Sequence, residues 1–564
     1  MHKKIKKSGT IILLAASLLG SFNLPAQKDN RFEVSKQLDI FNAIVKETEM
    51  FYVDSFDIEK SVRQGIDAML GSLDPYTEYF PENEMETLKL ITTGGEYGGI
   101  GSLIRQRGMK GGVMIDSPYE GLPAATSGLK PGDIILKVDT VDVSEAPSSK
   151  VSDLLKGTIN TKVKLLIKRP FADEPMEITV TRKKIVFNTV IYSGIFKDDI
   201  GYIYLKQFTD KSGQEVKDAV LDLKKKHNIK SLILDLRGNG GGVLESAVQI
   251  LGLFVPKGSQ VISTKGKIPQ WDRMYRTTIE PIDTVMPLAV LINGNSASAS
   301  EIVSGALQDM DRAVIIGQRS FGKGLVQTTR DLPYDGKLKV TYSKYYIPSG
   351  RCIQQMDYSH RREDGSVAAI PDSLTSIFHT ANGREVRDGG GIRPDIEIKE
   401  EKTPSLMYYL AVDTVTFDFV TDLYYHKYNQ IGALEQFNVT DEDFEAFKKY
   451  AKEKNFTYDR QTAKVLKNLQ EIAEFEGYLD GDTTLIKELE AKFTPNLERD
   501  FDINKEAIKK MLTAEIVKRH YYERGEWQIH LRNDETMDKT FEVLKDNSQY
   551  SKILSGETKS STGK

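Results

Sequence analysis

Ser296, Ser298 and Ser300 alternate with alanines three residues after an apolar run, and Lys323 stands between two glycines 25 positions beyond the middle serine. A serine hydroxyl becomes a nucleophile when a neighbouring base takes its proton, and a neutral lysine amine can be that base. The ordinary lysine pKa is about 10.4, so work near pH ~7.5 requires a fall of roughly three units, or about 4 kcal/mol. Burial away from anions, or a nearby cation, produces such a fall. The turn Phe321-Gly322-Lys323-Gly324 suits that need, because an aromatic ring and two glycines bring the backbone close and exclude water. Gln327 follows four residues later, where its amide can hold the lysine in line. Asp309 is assigned a structural role, since an anion beside Lys323 would raise its pKa. Plainer accounts exist: Ser298 as a helix cap with Glu301 as its capping-box partner, and Lys323 as an exposed turn residue. Capping and nucleophilic attack are compatible, because free N–H groups at a helix start stabilise an oxyanion formed beside them.

The elements around these residues have an alternating pattern. Leu288 to Ile292 reads as a buried strand, Asn293-Gly294-Asn295 as a turn, and Ile302, Val303, Ala306, Leu307 and Met310 as the apolar face of a helix. Ala313 to Ile316 predicts a further short strand. Upstream, Tyr202 to Leu205 and Ser231 to Leu236 read as strands and Val216 to Lys226 as an amphipathic helix. The second of those strands runs into Arg237-Gly238-Asn239-Gly240-Gly241-Gly242, where glycines let backbone N–H groups approach a substrate. Neither a P-loop nor a GxGxxG spacing is present. The alternation over residues 185–400 predicts a sheet with helices packed on it.

The remaining chain frames this core. With 564 residues it is too long for one domain. Residues 1–26 read as a signal peptide, with Lys3, Lys4, Lys6 and Lys7 ahead of the apolar stretch Ile11 to Gly20. Residues 27–90 are expected to form a helical region without chemistry, 401–546 a charged helical domain, and 547–564 a disordered tail. Residues 91–184 are punctuated by glycines. Gly98-Gly99-Ile100-Gly101-Ser102 is a turn whose N–H groups could form a nest for a peptide carboxylate, or simply a hairpin turn. The formal charge of −4 becomes −8 without the four leader lysines, which argues against nucleic acid as a partner. Cys352 stands alone, so no internal disulfide forms. The seven histidines are scattered and no HExxH or GxSxG motif occurs, so no metal or cofactor is expected.

Six separate motifs then carry a family resemblance. Residues 296–309 (SASASEIVSGALQD), Gly317 to Gln327, LILDLRGNGGG, GYIYLKQF, Tyr345 to Arg351 and Gly390 to Asp395 together resemble the C-terminal processing peptidases, or tail-specific proteases. The region containing Gly99-Ile100-Gly101-Ser102 and Gly128 to Ile135 resembles a PDZ domain. The resemblance implies an α/β and α+β multidomain protein: a crotonase- or Clp-protease-like core over 185–400, an inserted PDZ domain over 91–184, and helical N- and C-terminal regions. It implies Ser298 as nucleophile, Lys323 as general base and Gln327 as the residue orienting it. Oxyanion donors would be the backbone N–H groups of Ala299 and of a glycine in the run, Gly242 before Gly241. Gly99, Ile100, Gly101 and Ser102 would bind the terminal carboxylate of a protein substrate in the periplasm. A hinge at 90–97 and 180–190 would let the PDZ domain gate the site. The C-terminal helices are left as a surface for an adaptor or a second copy of the chain. The alternatives are a catalytically inactive PDZ receptor and, by fold analogy alone, an acyl-transfer enzyme.

Overall fold

The computed structural model describes residues 31–85, 97–108, 112–399, 403–459, 461–479 and 484–557. The expected leader, Gly94-Gly95 and the first half of the expected hinge lie outside them. Met1–Ser72 and Leu73–Lys564 are two separate units. In the first, the helices Arg31–Phe51 and Ile58–Gly71 are as periodicity suggested, and Asp57 caps the second by accepting from Lys60 N at 3.0 Å.

The second unit is built on a six-stranded sheet in the order Val190–Ile195, Ile200–Leu205, Ser231–Asp235, Leu288–Ile292, Val314–Gly317 and Ile396–Glu397. All neighbours are parallel except the first pair. Strands buried on both faces carry continuous apolar runs, and Leu288–Ile292 divides its residues between the faces. Leu288, Val290 and Ile292 join the helices Ser212–His227, Leu244–Gly252 and Ala299–Asp309 on one side. Ala289 and Leu291 face Met537, Val543, Leu544, Tyr550 and Ile553 on the other.

That second cover corrects the expectation for the C-terminus. Residues 547–555 form the helix Asn547–Ser555, capped by Asp546, and Tyr550 Oη accepts from Leu288 N at 2.9 Å. Serines, lysines and a glutamine conceal one apolar face made by Tyr550, Ile553 and Leu554, and burial of that face outweighs the polar composition. The last helices thus complete the core.

A second correction concerns 27–90. Glu78–Phe80 is a strand antiparallel to Lys337–Tyr346, and it joins a five-stranded sheet with Gln260–Gly266, Arg273–Arg276 and Leu325–Asp331. Three residues flanked by Pro75 and Pro81 are too few for a periodicity to show.

Between these core segments lies an inserted domain. Its sheet runs Ser102–Gln106, Val113–Pro118, Ile134–Val138, Lys162–Lys168 and Met176–Thr181, with the helix Ser148–Leu155 against the first strand. Ser102–Gln106 is an edge strand, open to an added strand.

Candidate active site

The helix Ala299–Asp309 is wholly buried, and its N-cap residue is Ser298. Ser298 has φ 55° and ψ −113°. A non-glycine residue held there costs on the order of 1–3 kcal/mol and persists only where surroundings fix it. The three serines now separate. Ser296 Oγ donates to the Leu236 carbonyl and Ser300 Oγ to the Asn239 carbonyl, each at 2.8 Å, and both residues are fully buried. Ser298 alone of the three lines the open cleft.

Two buried side chains hold the backbones of Ser298 and Lys323 together. Glu301 Oε2 accepts from Ser298 N at 2.8 Å and from Lys323 N at 2.9 Å. Its Oε1 accepts from Ser320 Oγ at 2.6 Å and Gly322 N at 2.7 Å. The Tyr345 hydroxyl donates to the Lys323 carbonyl at 2.7 Å and lies 3.3 Å from the Ser298 carbonyl. The capping-box reading of Glu301 captured one of its four bonds. Burial pushes the Glu301 carboxyl up to about 7 against the pull of those four donors.

Lys323 is kept partly dry by a residue that sequence reasoning missed. Its Nζ lies 4.2 Å from the centroid of the Tyr76 ring. Asp74 forms the turn carrying that ring, accepting from Tyr76 N and Thr77 N at 2.8 Å each. Phe321, expected to exclude water, is 45% exposed. Burial lowers the Lys323 pKa to about 8, helped by the positive charge of Lys339 and opposed by Glu301, Asp74 and Glu78. Lys339 donates to Glu78 at 2.6 Å. Replacement of Lys339 by Gln removes a cation and leaves Glu78 unpaired, and both changes favour protonated Lys323. The rise of kcat/KM with pH is expected to move to higher pH with its plateau retained, which a rate–pH profile measures.

The glycine loop abuts Ser298. A Cβ on Gly241 would stand 2.8 Å from Ser298 Cβ and 2.9 Å from Ala299 N, and one on Gly242 would stand 2.0 Å from the Phe208 carbonyl oxygen. Their φ values of 95° and 140° also favour glycine. Gly241 is corrected as an oxyanion donor, since its N–H donates to Asn239 Oδ1 at 2.9 Å. Ala299 and Gly242 remain the two candidate donors.

A cleft of about 1070 Å³ brings together Ser298, Lys323, Gln327 and Gly240 to Gly242, and no histidine of the described residues lines it. Gln327 Nε2 donates to Thr341 Oγ1 at 3.0 Å. Asp309 is structural as expected: it pairs with Arg351 at 2.8 Å in the interior. In the inserted domain, Gly99 pairs with Lys183, Ile100 is buried, Gly101 has φ 70°, and Ser102 Oγ donates to backbone carbonyls of Leu103 and Ser117. A second cavity, about 510 Å³, is lined by Tyr119 and Leu122 of that domain and by Lys518 and Arg519. Lys206 and Gln207 line both spaces.

Comparison with known proteins gives three family matches: peptidase family S41 over residues 199–360, a PDZ domain over 114–169, and the C-terminal helical domain of PDZ-proteases over 406–544. A carboxy-terminal-processing protease of Bartonella bacilliformis is 35% identical over 350 residues, covering 62% of this chain and 77% of the relative. A CtpA-like serine protease of Staphylococcus haemolyticus is 33% identical over 69% of this chain and 75% of its own. Among solved structures, the photosystem II D1 C-terminal processing protease is 27% identical, with a TM-score of 0.35, over 66% of this chain and 93% of that one.

Proposed function

The chain belongs to peptidase family S41, among the carboxy-terminal-processing serine proteases, and on that premise we propose an endopeptidase with a Ser298–Lys323 dyad. Ser298 attacks the scissile carbonyl while Lys323 takes its proton. The oxyanion is met by the N–H groups of Ala299 and Gly242, and water resolves the acyl-enzyme. Gln327 is the residue that orients Lys323 as substrate enters. The observation that carries this reading is the lowering of Lys323 to about 8 beside the one serine of its run that faces the cleft. Neutral amine is then available near physiological pH.

Substrate C-termini are taken up at Gly99 to Ser102 and along the edge strand Ser102–Gln106, and the chain passes by Lys206 and Gln207 to the dyad. This mode adds a strand to an exposed edge and places the terminal carboxylate in the loop. The PDZ domain gates that passage. The protein is exported and acts in the periplasm or at the membrane periphery, as the lysine-rich start and apolar stretch of residues 1–26 suggest. An inactive PDZ receptor would have no need of a strained Ser298 or a half-dried lysine.

A protein with an appended unstructured apolar tail tests the reading. Cleavage is expected, with kcat/KM rising about tenfold per pH unit below pH ~8 and levelling above it, as for a base that must lose one proton. A profile with no inflection near 8 would take the proton transfer away from Lys323 and overturn the dyad.

A further inference from the structure

We infer that the C-terminal helical region positions the glycine loop through Asp534, which holds Arg237 at the start of the loop whose Gly241 abuts Ser298. The inference rests on the dyad reading above. It gives the region a role in the reaction that its helical composition did not suggest.

The loop Arg237 to Gly242 is anchored at its start and in its middle. In its middle, Asn239 holds the residues on either side of Ser298: its carbonyl accepts from Ala297 N at 3.0 Å and from Ser300 Oγ at 2.8 Å. Its side-chain carbonyl receives the Gly241 N–H, and its Nδ2 donates to the Leu205 carbonyl at 2.7 Å. At the start, the Arg237 guanidinium donates to both oxygens of Asp235, which is fully buried, at 3.0 and 2.6 Å. Its remaining nitrogen donates to Asp534 Oδ2 at 2.6 Å. Arg237 therefore bridges one anion of the sheet and one of the C-terminal helices, and its side chain is only 17% exposed. Trp527 adds a second tie. Its ring stacks on Tyr204 at 3.6 Å, and its Nε1 donates to Tyr202 Oη, which donates to Asp235 Oδ2 at 2.8 Å.

Asp534 divides its two oxygens between two tasks. Oδ1 accepts from Thr536 N and Met537 N and so caps the helix Glu535–Lys545, while Oδ2 takes Arg237. Substitution by asparagine separates these tasks. Asparagine caps as well as aspartate, but its Nδ2 would face the Arg237 N–H as donor against donor. The guanidinium then has one carboxylate instead of two, and the start of the loop is held only by Asp235 and by the Gly238 N–H to Asn293 Oδ1 at 2.9 Å.

The test is steady-state kinetics of Asp534→Asn on the tailed protein, with Asp534→Glu as the conservative rescue. For Asp534→Asn, kcat is expected to fall about tenfold or more, with KM within about twofold, the pattern of an interaction lost in the transition state. Asp534→Glu is expected to recover most of that loss, and the rise of the pH profile near 8 is expected to stay in place because Lys323 is untouched. A lower Tm with unchanged kcat would reduce Asp534 to structural glue and overturn the inference. Should Asp534→Asn fail to fold, Asp534→Ser retains a capping oxygen and leaves Arg237 with Asp235 alone in the same way. Wild-type protein that does not cleave at all would count against the dyad instead, so the two failures are distinguishable.

Discussion

Ser298→Ala and Lys323→Ala are each expected to lower kcat/KM by about three orders of magnitude or more, and the double variant should be no worse, because a nucleophile and its base act as one unit. Neither change should cost the fold much. Alanine keeps the Cβ of Ser298, and the bonds bracing that residue run through its main chain to Glu301 and Tyr345. Lys323 pays for its position by desolvation, so its removal leaves Tm unchanged or raised. Lys323→Arg should be as inactive as alanine, since a guanidinium stays charged and cannot act as the base. Turnover within tenfold of wild type in either single variant would end the assignment.

Glu301→Gln is expected to be nearly as damaging, by about two orders of magnitude in kcat, although Glu301 touches no substrate. A carboxylate accepts all four donors, whereas a glutamine turns its NH₂ toward one pair. If that pair is Ser298 N and Lys323 N, both backbones lose one of their two anchors and keep only Tyr345. If it is Ser320 Oγ and Gly322 N, the hydroxyl can rotate but the amide cannot. A buried donor left unpaired costs about 1–3 kcal/mol, and a shift near 1 Å in a reacting group costs about a hundredfold in rate.

The same residue gives a stability signature. Its folded pKa of about 7 lies above the ordinary value of 4.5, so the folded state holds more protons than the unfolded chain between those values. The resulting stabilisation is complete below about 4.5 and is lost as pH rises to about 7. In Glu301→Gln this component of the pH dependence of unfolding should vanish. Denaturant titrations of both proteins between pH 4 and 8 check it, and an unchanged slope would contradict it.

The legible part of this molecule was the part with local patterns. Apolar runs marked the sheet, and the serine run and the Phe321–Gly324 turn marked the two segments that meet at the cleft. What escaped was set by contacts across long separations. Tyr76 comes within reach of Lys323 because Glu78–Phe80 pairs with a strand some 260 residues later, and nothing in the local sequence signals that pairing. Phe321 had the right chemistry and the wrong direction. Glu301 was visible as a cap, but its bonds to Gly322 and Lys323 depend on the return of the chain after Val314–Gly317. The Gly241 amide was excluded by the Asn239 side chain two residues away, a choice of rotamer that composition does not encode.

The cover of the sheet by Met537, Val543, Leu544, Tyr550 and Ile553 has a consequence for synthesis. Chains emerge N-terminus first at about 5–20 residues per second. The dyad and its loop are therefore made well before the helices that shield the far face of their sheet. During the interval, about 10–30 s for the residues after Glu397 at those rates, the strands carrying Ser298 have one face bare and Arg237 lacks Asp534. A nascent protease in that state has its reacting groups but not its finished scaffold. Only when those helices are made is the far face of the sheet covered and Arg237 given its second carboxylate.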